Sequence, residues 1–280
     1  MRVLVTGAGG QLGAAIVSSF SSRAEVRPFT HAMLDIADSA AVARAVAAER
    51  PDVVINCAAY NDVDGAEEHA AGALRANALG VRALAGAAAA VRATFVHYGT
   101  DFVFDGTAST PYIESDAPRP ESVYASSKLL GEWFAADAAA HYVLRVESLF
   151  GGDRRRSTID RIVASMREGT PARVFVDRVV TPSYVADVAG ATWHLVTTRA
   201  AYGVYHTVNV GETTWHELAK EAARILAIDA ELIPVRVADV ALRARRPQYC
   251  ALSNEKLSRA GFVMPTWQDA LRRYLGERRA

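Results

Sequence analysis

The chain opens on "RVLVTGAGGQLG", a β-branched apolar run that ends in glycines at positions 7, 10 and 13 and passes directly into the apolar helical stretch "QLGAAIVSSF". A strand, a glycine turn and a helix in this order constrain the fold more than any other segment. The first glycine makes the turn, the second lets backbone approach a bound pyrophosphate, and the third lets the helix pack close to the strand. A helix that starts there offers unpaired N–H groups to phosphate. Any strand-to-helix turn favours glycine, but the placement after the first strand favours a dinucleotide site built on Gly7, Gly10 and Gly13.

The rest of the first half repeats the pattern. "EVRPFT", "DVVINCAA", "TFVHYGT" and "YVLRVESLF" read as buried strands, with Ala- and Leu-rich helical stretches between them. Repeated βα units imply right-handed crossovers with helices on both sheet faces. After residue 150 the rhythm breaks, until "YVADVAGATWHLVTT" and "GVYHTVNV" offer a helix and a strand able to rejoin the sheet. The expected fold is α/β, a Rossmann-type doubly wound parallel sheet with a smaller, mostly C-terminal substrate-binding lobe. Residues 1–150 and 184–210 form the expected dinucleotide-binding domain, and 151–183 with 211–280 the lobe. A ligand would sit in the cleft between them.

Charge and cysteine content exclude several classes. Thirty-one basic and 31 acidic residues leave no formal net charge, which argues against nucleic acid or an acidic membrane as partner. Cys57 and Cys250 are too few and too distant for a disulfide framework, so a reducing compartment is the simpler reading. A strand at the very start leaves no room for a signal peptide, and "ALAGAAAAV" is too short to span a bilayer. The expected location is cytoplasmic.

An NAD site usually carries an acid at the end of the second strand for the ribose 2′-OH. Here Thr30 and His31 stand near that point, and Arg27 or His31 could attract a 2′-phosphate. NADPH is the favoured cofactor, with NADH as a second option. Asp35 and Ile36 are expected at the adenine; the competing reading is a helix cap region.

"SVYASSK", residues 122–128, puts Tyr124 and Lys128 four apart, on one helix face. Alone, this spacing is unremarkable. It follows a strand that closes on Gly99-Thr100, at the edge where such sheets bind ligands. Small residues at 125–127 leave space for a cofactor. Ketone reduction leaves an alkoxide that needs a proton. A phenol is a weak acid for that task, and a nearby ammonium is expected to lower its pKa, by roughly 3 units if worth about 4 kcal/mol. Thr100 supplies a hydroxyl to share the carbonyl oxygen.

Together, "GAGGQLG", "LDIAD", "INCAAYNDVDGAE", "GTDFVFDG", "PYIESDAPRPESVYASSKLLGE" and "RRPQYCALSNEKL" resemble the extended short-chain dehydrogenase/reductase family, in its sugar-nucleotide 4-ketoreductase branch, along nearly the whole chain. The resemblance implies reduction of the C4 ketone of a nucleotide-linked 4-keto-6-deoxysugar, with Thr100, Tyr124 and Lys128 catalytic. It also implies cofactor contacts from Gln11, Leu12, Asp35, Ile36, Ala58, Ala59, Tyr60 and Tyr98, and sugar contacts from Thr100 and Asp101. Members commonly carry Ser where Gly99 stands and Trp in the strand that here holds Leu149, a residue expected in the substrate wall. Some use a Glu after the glycine loop in a metal-linked dimer; Ala14 and Ala15 stand there, so no such metal is expected, and a homodimer, if formed, would be built otherwise.

Dehydratases of the superfamily follow the catalytic Thr with Asp-Glu, whereas Asp101 precedes Phe102. Elimination of water is therefore not expected. Arg246 is expected at a substrate diphosphate, ahead of Arg243 and Arg245. Residues 153–156, "DRRR", read as a solvated loop, with Arg154 as a lesser phosphate candidate. His97, His206, Trp133 and Trp193 read as packed core, and Cys57 as a small core residue. The rival function is a cofactor-binding regulatory subunit without turnover.

Overall fold

Parallel strands and their return helices alternate through the first half of the chain. In the computed structural model, which describes residues 1–154 and 157–277, β1 (Arg2–Thr6) leads to α1 (Gln11–Ser21), β2 (Glu25–Phe29), α2 (Ser39–Glu49) and β3 (Val53–Asn56). Next come α3 (Gly65–Glu68), α4 (Ala70–Leu74), a π-turn over Arg75–Leu79, α5 (Gly80–Ala90), β4 (Thr94–Thr100), α6 (Val123–Ala136) and β5 (His141–Val146). The second half adds β6 (Leu149–Phe150), α7 (Thr158–Arg167), β7 (Ala172–Phe175), β8 (Val179–Val180), β9 (Ser183–Tyr184), α8 (Val185–Thr198) and β10 (Gly203–His206). It closes with β11 (Thr213–Thr214), α9 (Trp215–Leu226), β12 (Leu232–Val235), α10 (Glu255–Arg259) and α11 (Trp267–Glu277).

The main sheet runs β10-β5-β4-β3-β1-β2 with every pair parallel, so the expected doubly wound topology is present and β10 returns to its edge. Its apolar side chains alternate between two cores. Val3 and Val5 join Ile16 and Leu195 on one face, while Leu4 joins Val42 and Leu84 on the other. Strands buried on both faces need continuous apolar runs, which is what the first half supplies. The chain leaves β1 towards β2 on one side and β3 on the other. That reversal opens a crevice at the carboxyl ends of β1 and β3. Smaller pairings, β6 with β9, β7 with β12 and β8 with β11, involve residues 149–235.

Side chains cap the starts of α2 and α6. Asp38 accepts from the Ala41 N–H at 2.9 Å and Ser122 from that of Ala125 at 3.1 Å. One expectation fails: Trp133 lies on the solvent side of α6 and is 58% exposed, because the helix turns its small residues and Lys128 inward. Trp193 is packed edge-on against Phe20, with centroids 4.9 Å apart. Among the described residues no helix is long and apolar enough to cross a membrane.

Glu132 of α6 and Arg145 of β5 form a buried pair, with Glu132 Oε2 accepting from Arg145 Nη2 at 2.8 Å and from Nε at 3.0 Å. The Arg145 guanidinium also lies over Phe104. Removing one partner leaves a buried charge uncompensated, a loss of about 3–5 kcal/mol. Glu132→Leu is expected to lower the unfolding free energy by about that amount in a urea titration; a loss below about 1 kcal/mol, the level of an exposed pair, would contradict it.

Candidate active site

The glycine loop shows why two of its glycines are required. Gly7 has φ +67°, and a side-chain carbon there would lie 2.4 Å from the Ala58 nitrogen. At Gly13 it would lie 2.2 Å from the Gly7 carbonyl oxygen. The loop, the β3 exit and the first turn of α1 are thus in direct backbone contact, and no other residue fits. Gly10 starts α1 without a side-chain cap, which leaves first-turn N–H groups available to an anion. Gly10, Gln11, Leu12, Ala58 and Ala59 line a crevice of about 350 Å³ that continues to Tyr98, Thr100, Asp101, Tyr124, Lys128 and Leu149. A tight cradle with free amides at one end and a proton donor at the other fits a nicotinamide dinucleotide. Gln11 also donates to the Gly151 carbonyl at 2.9 Å, joining the loop to the segment after β6.

At the catalytic end, Tyr124, Lys128 and Thr100 are all buried. Lys128 Nζ donates to the Tyr98 carbonyl at 2.6 Å, which fixes α6 against the end of β4. The Thr100 hydroxyl neighbours the Tyr124 phenol on the crevice wall and donates to Asp101 Oδ1 at 3.0 Å. The expected lowering of the phenol pKa by Lys128 is not what the structure gives. Burial raises it, the Asp101 carboxylate raises it further, and Thr100 and Arg246 only partly oppose them. The reason is geometric: the ammonium points at a carbonyl, not at the phenol. Tyr124 therefore keeps its proton near neutrality, as any phenol does, and is a weaker acid than a free one. Lys128 itself falls to about 8 through burial, opposed by Glu132 and Cys57.

A polar row crosses the strand ends. The Thr6 hydroxyl donates to Asn56 Oδ1 at 2.7 Å, which also accepts from the Ala58 N–H, and Asn56 Nδ2 meets His97 Nδ1 at 3.1 Å. Both histidines read as core are buried, His206 falling to about 3 through burial and the adjacent Arg145. Asn77 was not foreseen. The π-turn rotates it inward, where its amide brackets the Tyr60 backbone at 2.8 and 3.0 Å and donates to Ser127 Oγ at 3.0 Å. Ser127 in turn donates to the Tyr124 carbonyl. Only the interruption of a helical pattern, invisible in composition, could have flagged it.

Glu147 was also unforeseen. It leaves β5 and meets Asp101, whose sequence neighbour Phe102 is not an acid: one carboxyl oxygen of each, with Cys250 Sγ, lies within 4.8 Å of the others. The fold thus supplies Asp101 with the carboxylate partner that sequence adjacency denied it. Burial raises Asp101 to about 6, opposed first by Arg178.

Other expected residues fall elsewhere. Asp35 is exposed, with Oδ1 accepting from the Ala37 N–H at 2.9 Å, and Ile36 is buried against Gly80; neither lines the crevice. The Tyr60 ring packs with Ala66, Ala73 and Tyr124, outside the crevice lining. Arg246 is bound to Asp64 at 2.7 Å, over Phe102. Arg243 pairs with Glu68 and Arg245 with Glu121. Arg27, offered for a 2′-phosphate, is engaged by Glu25 and Glu49. Arg154 Nη2 lies 4.0 Å from where a Gly9 side chain would begin, and Arg155 and Arg156 lie outside the described residues. Cys57 borders the crevice, its thiol pushed up by burial.

A glycine-cradled crevice ending at a buried Thr, Tyr and Lys defines the class: an α/β nucleotide-dependent oxidoreductase of the short-chain dehydrogenase/reductase type. Comparison with known proteins narrows it, since the profile described as RmlD substrate binding domain matches residues 1–279. The chain belongs to that family. It is 35% identical to a dTDP-4-dehydrorhamnose reductase of Burkholderia thailandensis, over 97% of each chain. It is 35% identical to a probable dTDP-4,6-dihydroxy-2-methyloxan-3-one 4-ketoreductase of Streptomyces antibioticus, over 97% of this chain and 94% of that one. Among solved structures, the dTDP-4-dehydrorhamnose reductase of Bacillus anthracis in complex with NADP superposes with a TM-score of 0.95, at 32% identity and 99% coverage of both chains.

Asp101 carries a pH signature. Its folded level of about 6 lies above the unfolded value of about 3.9, so the folded state binds this proton more tightly. Its contribution to stability is full below about pH 4 and is lost as pH rises through about 6. Asp101→Asn removes that slope. Urea unfolding between about pH 4.5 and 7 is expected to show the variant gaining stability relative to the parent as pH rises; parallel curves would contradict the assignment.

Proposed function

We propose that this chain reduces the C4 ketone of a nucleotide-linked 4-keto-6-deoxysugar with NADPH. The favoured substrate is dTDP-4-dehydrorhamnose, giving dTDP-L-rhamnose. The observation that carries this reading is a buried Tyr124 that shares the glycine-loop crevice with Thr100 and Lys128. The named function of relatives that match this chain end to end supports it.

When bound, NADPH supplies the hydride to C4. The protein's residues do the rest. Tyr124 gives its proton to the developing alkoxide oxygen, and Thr100 orients that oxygen by a second hydrogen bond. Lys128, fixed by the Tyr98 carbonyl, holds a positive charge at the crevice floor and can donate to ribose hydroxyls. Gly7, Gly10, Gln11, Leu12 and Gly13 seat the pyrophosphate on the start of α1. Ala58, Ala59 and the Tyr98 backbone border the nicotinamide half. NADPH is preferred to NADH because no acid stands at Thr30 or His31 to repel a 2′-phosphate, and the Bacillus anthracis relative holds NADP. The lobe of residues 151–183 and 211–280 carries the substrate, with Asp101 and Leu149 on the sugar side of the crevice. Arg246 would reach a diphosphate only by leaving Asp64.

A sister sugar of the same 4-keto class is the second reading, favoured by the equally similar Streptomyces antibioticus relative, named as a ketoreductase of a different sugar. NADPH consumption with a panel of 4-keto-6-deoxysugar nucleotides separates the two. Tight NADPH binding without turnover on any of them would instead indicate the regulatory subunit.

Tyr124→Phe is expected to fold and to bind NADPH with affinity unchanged within about threefold, while kcat falls by about 10²–10⁴. Calorimetry and initial rates read the two separately. Wild-type turnover by this variant would remove Tyr124 from the acid role.

A further inference from the structure

Asp101, at the crevice wall, is also part of a buried charge cluster whose proton chemistry none of these steps uses. Asp101 Oδ2, Glu147 Oε1 and Arg178 Nε are inaccessible and have no hydrogen-bond partner among the described residues. The other oxygens are engaged: Asp101 Oδ1 accepts from the Thr100 hydroxyl, and Glu147 Oε2 accepts from the Thr181 N–H at 2.7 Å and its hydroxyl at 2.5 Å. Arg178 Nη2 stands 4.0 Å from Asp101 Oδ2 and 3.7 Å from Cys250 Sγ. The groups come from four separate segments: the end of β4, the exit of β5, the approach to β8, and the stretch before α10.

Charge counting points to a proton. Two carboxylates and one guanidinium, all ionised and dry, leave a net negative charge that burial strongly opposes. One added proton makes the cluster neutral and gives the free carboxyl oxygens a donor. Arg178 already occupies the cation's place, which argues against a metal between Asp101, Glu147 and Cys250.

We propose that Asp101 and Glu147 share one proton, and that this pair reloads Tyr124 through Thr100 after each turnover. The inference rests on the reductase reading above. Having given its proton to the alkoxide, Tyr124 is a phenolate. The Thr100 hydroxyl proton passes to it; with the pair's proton on Asp101 Oδ1, 3.0 Å from Thr100 Oγ1, that O–H bond breaks and the proton moves to Oγ1, which restores both hydroxyls. The pair, now short of one proton, regains it from water in the crevice that Asp101 borders. One solvent proton enters per turnover, and no oxidant or reductant is needed. Asp101 and Glu147 act through Thr100 and Tyr124, as positioning and supply groups.

Burial raises both carboxyls. The charged or titratable groups facing them are Arg178, Cys250, Tyr124 and Tyr249. None of these groups carries a second positive charge into the cluster.

Two measurements test this. Infrared spectra of the wild-type protein, titrated without substrate, are expected to show a protonated-carboxyl C=O band near neutral pH that fades as pH rises and is absent from Glu147→Gln. The variant keeps the shape and the Thr181 acceptor but cannot pass a proton. In rapid mixing with NADPH and the dTDP-sugar it is expected to complete one turnover per site at the wild-type rate. Steady turnover then falls about tenfold and loses the pH dependence of the parent, with KM values within about threefold. Absence of the band from the wild type, or a wild-type steady rate and pH profile in the variant, overturns the proposal. A wild-type protein that shows the band but turns over no sugar nucleotide overturns the reductase reading instead. Should Glu147→Gln not fold, the wild-type infrared titration decides alone.

Discussion

Lys128 carries a charge into a place with almost no water, and much of the site is arranged around keeping it there. Its ammonium is bound to the Tyr98 carbonyl at 2.6 Å, so the register of α6 against β4 is set by one hydrogen bond. That register brings Tyr124, one turn earlier, beside Thr100. It also brings Glu132, one turn later, onto Arg145. The price of burial is a Lys128 pKa lowered to about 8, so the charge is retained near neutrality by a narrow margin. Shifting α6 by one residue would leave that ammonium and the Glu132–Arg145 pair without partners together. The helix has one acceptable position.

The parts of this arrangement that are local in sequence could be read from it. Apolar runs with glycine at their ends gave the parallel strands, because a strand covered on both faces has few other compositions. The i, i+4 pair on α6 and Gly7, Gly10 and Gly13 were legible for the same reason: the spacing itself fixes the geometry. Trp133 was misjudged because a helix rich in alanine shows no clear apolar stripe. Its inner face is defined by small residues and a lysine, which hydropathy does not register.

What could not be read depends on distant segments. Asn77 matters because five residues wind as a π-turn and swing it towards Tyr60 and Ser127. Glu147 lies 46 positions from Asp101 and looks like any acid at a strand exit. Arg178 and Cys250 join them from still further away. The ionisation of Tyr124 was misread for a related reason: the sequence shows the lysine four residues away but not the direction of its amine, nor the carboxylate behind Thr100.

Gly99 bears on whether this is an enzyme. Relatives of the expected type commonly place Ser there, and the missing hydroxyl could be taken as loss of catalytic equipment. A side-chain carbon at position 99 would lie 2.1 Å from Glu132 Oε1 and 3.0 Å from Arg145 Cγ. That space is filled by a buried, doubly hydrogen-bonded ion pair, which cannot give way cheaply. The glycine is therefore required by packing against Glu132 and Arg145, although it also borders the crevice. Around that crevice Thr100, Tyr124 and Lys128 are intact and buried. A subunit kept only to bind a cofactor would have no use for a buried phenol set beside Thr100 and Lys128 in that crevice.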